Sequence, residues 1–263
     1  MKSELERAAT PLVMDFIART LVFLIPGRGN EVPPWVASGT IFVTPASRAV
    51  VLTAEHNVSR ARDQALRMGY YRGTNVLEDV VAGIVANADR DVAAVALNKE
   101  ATSAVAAYGL RSAVIGAEQT FDSKDAFVLA GFPAAWMLQR WTERPGNRPL
   151  RELGFPSTTY GTALADPQLD DRGRLRVVWD ERDISGQPPE KMPDPEGVSG
   201  GALWRFRSIG KAAVWSPEAA GTFIGVPTDF RAGERVELVE PAAAWRSWFV
   251  ETLDLFDREL PLS

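Results

Sequence analysis

Short apolar segments separated by turn-forming residues run along most of this chain, and they limit the folds that it can adopt. The segments are rich in Val, Ile, Thr and aromatic residues, and Gly, Pro, Asn or Asp stands between them. They lie at 20–25, 37–44, 49–54, 79–86, 91–97, 126–131, 174–180, 201–204, 211–215, 222–226 and 235–239. Many short strands with few helices between them predict an all-β sandwich or barrel.

The pattern also divides the chain into two β units with a short helix at each end. AFVLAGFP, beginning at residue 126, follows an irregular stretch and is typical of the start of a second unit. In 241–260 the aromatic residues recur at helical spacing, which predicts an amphipathic helix packed on the second unit. We therefore expect a helical extension over 1–19, a first β-barrel over 20–120, a second over 121–240 and a C-terminal helix over 241–263. Long surface loops are expected over 134–173, which is rich in Pro, Gly and charge.

Composition excludes several classes of function. The chain has no Cys, so disulfides, thiolate catalysis and Cys-ligated metals are excluded. A formal net charge of −5 argues against a nucleic-acid or anionic-membrane partner. No segment approaches the roughly 18 apolar residues that cross a bilayer, and the N-terminus lacks the features of a signal peptide. We expect a cytoplasmic protein that needs no cofactor or metal.

One serine lies among glycines in EGVSGGALW, residues 196–204. Two hydrolase architectures have this sequence pattern around a nucleophilic serine, here Ser199, and an ordinary tight turn has it too. The nucleophile elbow of α/β hydrolases requires a histidine after the serine, but the chain's single histidine, His56, precedes it. An order of Asp, His, Ser would require Asp15, which falls in the predicted N-terminal helix.

The order His, Asp, Ser remains, and it fits the predicted strands. His56 ends the apolar run AVVLTAEH, and Asp91 opens the run DVAAVAL. Asp89 is the alternative acid, but the apolar run begins directly after Asp91. A histidine base, an acid that orients it and a serine nucleophile are the parts of a catalytic triad.

With these three residues placed, the chain resembles a trypsin-like (chymotrypsin-fold) serine protease of the bacterial type. The resemblance rests on ASGTIFVTPASRAVVLTAEHNV, DVAAVAL, AFVLAGFP, EGVSGGALW and FIGVPT, which occur in the family's order. It implies two packed six-stranded β-barrels with an active site in the crevice between them.

The resemblance also implies a role for each site residue. His56 is the general base, Asp91 orients it, and Ser199 attacks a peptide bond in a protein or peptide substrate. The backbone N–H groups of Gly197 and Ser199 form the oxyanion hole. Two further residues are expected to bind substrate: Asp194, as a selector of basic side chains, and Thr228, on a strand that pairs with the substrate backbone.

Two residues depart from the family's pattern. Val198 stands where many secreted members carry an aspartate that pairs with a newly freed N-terminus, so activation of that kind is not expected. Glu55 replaces the small residue before the histidine. We expect the activity to be gated by a partner protein or a signal. The alternatives are a non-catalytic binding module with a protease fold, and a serine esterase on the same scaffold.

Overall fold

Two six-stranded antiparallel sheets form the body of the protein. They are seen in a computed structural model that describes residues 4–28, 33–70, 76–117, 121, 125–134, 168–178, 196–207 and 216–260. The first sheet contains β1 (Leu21–Pro26), β2 (Ala37–Val43), β3 (Ala49–Ala54), β4 (Leu66–Tyr70), β5 (Val81–Asn87) and β6 (Val92–Leu97), in the spatial order β4-β1-β2-β3-β6-β5. The second contains β7 (Ala126–Ala130), β8 (Gln168–Leu169), β9 (Leu175–Val178), β10 (Ala202–Phe206), β11 (Gly221–Arg231) and β12 (Val236–Pro241), in the order β7-β10-β11-β12-β9-β8.

Helices flank and connect the strands. They are α1 (Glu4–Thr20), α2 (Glu55–Arg60), α3 (Lys99–Val105), α4 (Pro217–Ala220) and α5 (Ala242–Glu259). Within the described ranges, no helix combines the length and the apolar character needed to cross a membrane. The predicted all-β fold of two six-stranded units with terminal helices is confirmed. The strand expected at 211–215 and most of the loop region expected over 134–173 lie outside the described residues.

The strands beside the second sheet are buried on both faces. Every residue of β3 is buried, although neighbouring side chains of a strand point to opposite faces. Val51 packs in an apolar cluster inside the first sheet, whereas Val50 and Leu52 pack in a cluster between the two sheets. Because both faces are covered, these strands are continuous apolar runs and show no alternation.

Aromatic rings join the two sheets. The ring centroid of Phe42, on β2, lies 5.5 Å from that of Phe223, on β11, and 5.0 Å from that of Phe249, on α5. The rings meet edge to face, an arrangement that contributes about 0.5–1.5 kcal/mol per pair beyond the burial of area. This cluster fixes the position of one sheet against the other, and therefore the shape of the space between them.

Helix α5 packs on β11 and β12 of the second sheet, as predicted, and it also contacts β6 of the first. Its apolar face is buried as the sequence spacing predicted, with Trp245 and Phe249 in the cluster between the sheets. Asp257, near its end, accepts hydrogen bonds from the Thr44 hydroxyl at 2.5 Å and the Ala46 backbone N–H at 2.9 Å, both in the turn after β2. The helical periodicity showed which face is buried but carried no information on which sheet covers it.

Strand β4 was not predicted from the sequence. It pairs with β1, and its centre contains Arg67 and Gly69, which interrupt the apolar run. Arg67 is buried and donates to the Pro26 carbonyl at 3.2 Å. The ring of Phe23 occupies the space that a side chain at 69 would need. Tertiary contacts therefore place a cation and a glycine in a buried strand, against their local preferences.

Replacement of Asp257 tests the attachment of α5 to the first sheet. We expect Asp257→Ala to lower the free energy of unfolding by about 1–2 kcal/mol, because two hydrogen bonds to a charged acceptor are lost at a partly exposed position. Urea denaturation measures the change. Asp254→Ala on the same helix is the control, since Asp254 is exposed and has no partner in the described part of the chain. Equal stability of the two variants would contradict the attachment.

Candidate active site

A cleft of about 750 Å³ lies where the two sheets face each other. Five of the six residues predicted for the site line it: His56, Asp91, Gly197, Ser199 and Thr228. The sixth, Asp194, lies outside the described residues. The first two come from the first sheet and the other three from the second, so the fold brings together residues that are far apart in the sequence.

His56 and Asp91 are joined by two hydrogen bonds. His56 Nδ1 lies 2.8 Å from Asp91 Oδ2, and the backbone N–H of His56 donates to Asp91 Oδ1 at 2.9 Å. A carboxylate only accepts, so the ring donates from Nδ1, which leaves Nε2 of the neutral imidazole as an acceptor. The two side chains are 29% and 34% exposed, so both remain open to the cleft.

The backbone fixes Asp91 in this position. Asp91 follows a 3₁₀ turn, Ala88–Arg90, and has φ +48°, a left-handed conformation that the short polar Asp side chain tolerates. The Asp91 carbonyl accepts the backbone N–H of Glu55, the first residue of α2, at 3.1 Å, so Asp91 contacts the start of that helix. The alternative acid, Asp89, is exposed on the same turn and makes no bond to His56 among the residues described.

The turn that carries Ser199 depends on its glycines. Gly197 and Gly200 have φ +92° and +87°, in the region that favours glycine. A Cβ at 197 would lie 2.7 Å from the backbone N of Ala134, and a Cβ at 200 would overlap Thr53 and the carbonyl of Ser38. Gly200 therefore allows the turn to approach the first sheet closely, and Gly197 allows it to approach the segment that follows β7.

Hydrogen bonds from the first sheet hold the serine turn. The Ser199 carbonyl accepts the Ser38 backbone N–H at 3.1 Å and the Asn57 side-chain amide at 3.0 Å. The Ser38 hydroxyl donates to the Gly197 carbonyl at 2.7 Å and accepts the Phe132 N–H at 2.7 Å. Sequence reasoning did not find Ser38 and Asn57 as positioning residues. The only signal was their type, since each is a polar residue beside an otherwise apolar run.

The reactive groups of the turn have no partner in the described part of the structure. The hydroxyl of Ser199 makes no hydrogen bond there, to His56 or to any other group, and the backbone N–H groups of Gly197 and Ser199 donate none. All three residues border the same cleft. The cleft therefore presents a hydroxyl, an imidazole and two backbone donors to whatever occupies it.

Strand β11 leaves part of its backbone open beside the serine. On the side of β10 its pairing runs only to Gly225, and the N–H of Gly200 then donates to the Pro227 carbonyl at 2.7 Å. Residues 228–230 follow and line the cleft. The hydroxyl of Thr228 points back to the Leu238 carbonyl, 3.4 Å away. The backbone of Thr228 therefore borders the cleft, whereas its side chain is hydrogen-bonded within the second sheet.

The two departures from the protease pattern lie away from the imidazole. The Glu55 carboxylate accepts from the Ser59 hydroxyl on the same helix and borders a separate groove beside β5. Val198 is fully buried in the apolar cluster inside the second sheet. A valine in this cluster packs against apolar neighbours and offers no charge for an ion pair.

One buried carboxyl group, that of Glu240, borders the cleft beside Asp91. Burial raises its pKa above the ordinary value, and the guanidinium groups of Arg90 and Arg174 oppose that rise. The carboxylates of Asp170 and Asp91 reinforce it. Arg90 Nη1 lies 3.9 Å from Glu240 Oε2, which is a loose ion pair. The charge of Asp91 therefore disfavours ionisation of the neighbouring Glu240.

A second carboxyl group, that of Glu237, is buried inside the second sheet. Its side chain is 1% exposed, and neither oxygen has a hydrogen-bond partner. Burial raises the pKa of Glu237 well above the ordinary value, and the Asp229 carboxylate raises it further. Among the side chains that the structure describes, no three of His, Asp and Glu stand close enough together to hold a metal ion.

Comparison with known proteins gives matches in structure and none in sequence. No protein-family model matches the chain, and no curated protein matches it. The chain is similar to a serine endoprotease from Yersinia pestis, with a TM-score of 0.55, 14% identity, and coverage of 96% of this chain and 67% of that one. It is also similar to a thermostable serine protease from an extremophilic microorganism, with a TM-score of 0.52, 11% identity, and coverage of 91% and 99%.

These likenesses establish the class of fold. The two curled antiparallel sheets form the chymotrypsin-like architecture, and both neighbours are serine proteases. The resemblance drawn from the sequence motifs is thereby confirmed for the fold. At 11–14% identity the likeness extends to architecture and not to activity.

Removal of the Ser38 hydroxyl tests the hydrogen bonds that hold the serine turn. We expect Ser38→Ala to lower the free energy of unfolding by about 2 kcal/mol, because the Gly197 carbonyl and the Phe132 N–H are left buried without partners. Ser103→Ala is the control, since that hydroxyl is exposed and bonds only within its own helix. Chemical denaturation compares the two. A loss no larger than that of the control would show that the turn is held by other contacts.

The buried carboxyl of Glu237 predicts a stability that depends on pH. Its raised pKa means that the folded chain keeps this proton after the unfolded chain has lost it. Stability therefore falls as pH rises from the ordinary carboxyl range through the raised pKa, by at most about 1.4 kcal/mol per pH unit.

Glu237→Gln removes this titration, so we expect the variant to gain stability over the wild type as pH rises. Urea denaturation between about pH 5 and about pH 9 measures the difference. Glu234→Gln is the control, because Glu234 is exposed and paired with Arg176 and Arg231. A difference between wild type and Glu237→Gln that stays constant with pH would contradict the burial of an unpaired carboxyl.

Proposed function

We propose that this protein is a serine endopeptidase that cleaves proteins or peptides through Ser199, His56 and Asp91. The observation that carries the proposal is the hydrogen bond between Asp91 and the chain's only imidazole, in a cleft that Ser199 also lines. A serine hydroxyl needs an adjacent base at neutral pH, and no other histidine exists to supply one. The protease fold of the structural neighbours supports the same reading.

Each residue has a defined part in the reaction. His56 Nε2 removes the proton as Ser199 Oγ attacks the substrate carbonyl, and Asp91 stabilises the imidazolium that forms. The imidazolium then protonates the leaving amine, which departs from the acyl-enzyme. Water, deprotonated by the same nitrogen, releases the acyl group and restores Ser199.

The backbone of the glycine turn supplies the electrophilic part of the site. The N–H groups of Gly197 and Ser199 would receive the oxyanion of the tetrahedral intermediate, and each such donor lowers the barrier by about 3 kcal/mol in known cases. Residues 228–230 of β11 would pair with the extended backbone of the substrate, since β10 leaves that edge open. Thr228 then binds through its backbone.

We propose further that the activity is gated by a partner protein or a signal that completes the site. Two observations support this gating. The hydroxyl of Ser199 is not bonded to His56 within the described residues, and Val198 cannot form the ion pair that shapes the turn in many secreted relatives. Full activity of the purified protein on an unfolded substrate would contradict the gating but not the triad.

A fluorophosphonate probe tests the proposed nucleophile. We expect a covalent adduct on Ser199, located by mass spectrometry, that is absent in Ser199→Ala and in His56→Ala. Asp91→Asn keeps the serine and the imidazole, and we expect slower labelling and a fall in peptide turnover of about 10⁴-fold, as in serine proteases that lose this acid. Asp89→Asn is the control and should label at the wild-type rate.

The same proteins distinguish the remaining functions. Cleavage of an unfolded protein by the unlabelled enzyme, abolished once Ser199 carries the probe, would support the endopeptidase. Turnover of small esters without peptide cleavage would indicate an esterase on the same scaffold. Absence of any adduct on Ser199, in the presence of unfolded substrate, would favour a binding module, or a site that awaits its partner protein, over an active peptidase.

A further inference from the structure

Glu240 lies where the second sheet meets the turn that carries Asp91. It is the penultimate residue of β12, its side chain is 9% exposed, and it borders the cleft. Oε2 of Glu240 is buried and accepts no hydrogen bond within the described ranges. Because a buried carboxylate without a partner is strongly unfavourable, this side chain requires a cation beside it.

Two guanidinium groups lie near this carboxyl group, and one of them is already bound to another acid. Nε and Nη2 of Arg174 each lie 2.9 Å from Oδ2 of Asp170, in the turn between β8 and β9. Arg90 Nη1 lies 3.9 Å from Glu240 Oε2, and no other acid is paired with Arg90 among the residues described. Arg90 is therefore the cation available to Glu240.

Arg90 connects this carboxyl group to the acid of the proposed triad. It ends the 3₁₀ turn Ala88–Arg90, and Asp91 follows directly with φ +48°. A residue other than glycine keeps such a conformation only where the surrounding contacts hold it. From the first sheet, the Glu55 N–H donates to the Asp91 carbonyl. From the second sheet, the ion pair with Glu240 reaches the same turn.

We propose that Arg90 and Glu240 are positioning residues of the proposed triad, whose ion pair joins the two sheets beside the cleft and holds the Asp91 carboxylate against His56. The proposal rests on the endopeptidase function proposed above. Both residues act through Asp91 and not on the substrate. The second sheet, which carries Ser199, then also fixes the acid of the first sheet.

The charges around Glu240 explain why the two partners must be matched. Burial, followed by the Asp170 and Asp91 carboxylates, raises the pKa of Glu240, whereas the guanidinium groups of Arg90 and Arg174 lower it. Two neighbouring carboxylates repel each other, and a cation between them offsets that repulsion. The charge of Arg90 therefore allows Glu240 and Asp91 to stand side by side.

Loss of either partner leaves a charge that disturbs Asp91. Without Arg90, the Glu240 carboxylate repels Asp91 with one cation fewer between them. Without Glu240, the guanidinium of Arg90 has Asp91 as its neighbouring acid and competes with His56 for that carboxylate. Loss of both partners together leaves neither disturbance. The two replacements should therefore not act independently.

Single and double replacements of the pair test this coupling. In Arg90→Gln and in Glu240→Gln we expect kcat on a quenched fluorescent peptide to fall about tenfold, with KM little changed. The double variant should be no slower than either single variant. Arg90→Lys, which keeps the cation, should retain part of the lost kcat. A double variant in which the two losses multiply to about a hundredfold, as independent effects do, would overturn the proposal.

Nitrogen-15 NMR of the imidazole keeps the test independent of peptide cleavage. It reports the share of neutral His56 rings that carry the proton on Nδ1, the nitrogen that faces Asp91. We expect a smaller share in Arg90→Gln than in the wild type, and recovery of part of it in Arg90→Lys. A share that is the same in the wild type and in Arg90→Gln would overturn the positioning role even if kcat falls.

A second ion pair of the same sheet provides the control. Arg176 and Glu234 lie 2.6 Å apart, and neither borders the cleft. Arg176→Gln and Glu234→Gln should both keep the wild-type kcat and the wild-type protonation of the imidazole. A fall in either property equal to that in Arg90→Gln would show that loss of any such ion pair has the effect, and would overturn the proposal.

The fluorophosphonate probe separates this inference from the proposed function. Labelling of Ser199 in the wild type, with an imidazole that does not respond to Arg90→Gln, would overturn the positioning role and leave the endopeptidase intact. Absence of labelling in the wild type, with an imidazole that does respond, would count against an active peptidase and support the role of the ion pair in holding Asp91.

Discussion

The hydrogen bonds from the first sheet to the serine turn are the constraint on which the site depends. Ser199 belongs to the second sheet by sequence, but its carbonyl and that of Gly197 are bound by Ser38 and Asn57 of the first. His56 is the residue before Asn57. The imidazole and the side-chain amide that holds the serine turn therefore lie on the same short helix, α2. One local arrangement therefore fixes Ser199 and His56 on facing walls of the cleft.

The rest of the fold keeps that arrangement in place. The aromatic cluster between the sheets, with Phe42 and Phe223 at its centre, sets the distance between the two walls. Helix α5 contributes Phe249 to this cluster and binds the first sheet through Asp257, so a C-terminal element holds both halves together. The glycine at 200 allows the turn to lie close against Ser38 and Thr53 of the first sheet, so that its carbonyls can be reached. Site and scaffold thus depend on the same contacts.

Much of the fold and the approximate site could be predicted from the sequence, because apolar runs and the position of a single histidine are local signals. His56 and Asp91 were found since each adjoins a predicted strand, and the structure places them in contact. Strand β4 was missed because Arg67 and Gly69 break the apolar pattern for tertiary reasons. Glu237 lies in a short run that is buried throughout, so no alternation showed that its carboxyl is enclosed. The roles of Ser38 and Asn57 come from contacts across the two sheets, which no local pattern records.

The proposed chemistry requires that the chain's only imidazole donates to Asp91 from Nδ1 and offers Nε2 to the serine. Nitrogen-15 NMR of the single histidine tests it directly, because one ring gives one pair of resonances. We expect the neutral ring to carry its proton on Nδ1, and Asp91→Asn to weaken this preference or reverse it. A neutral ring protonated on Nε2 in the wild type would rule out this arrangement, since such a ring cannot accept the proton of Ser199.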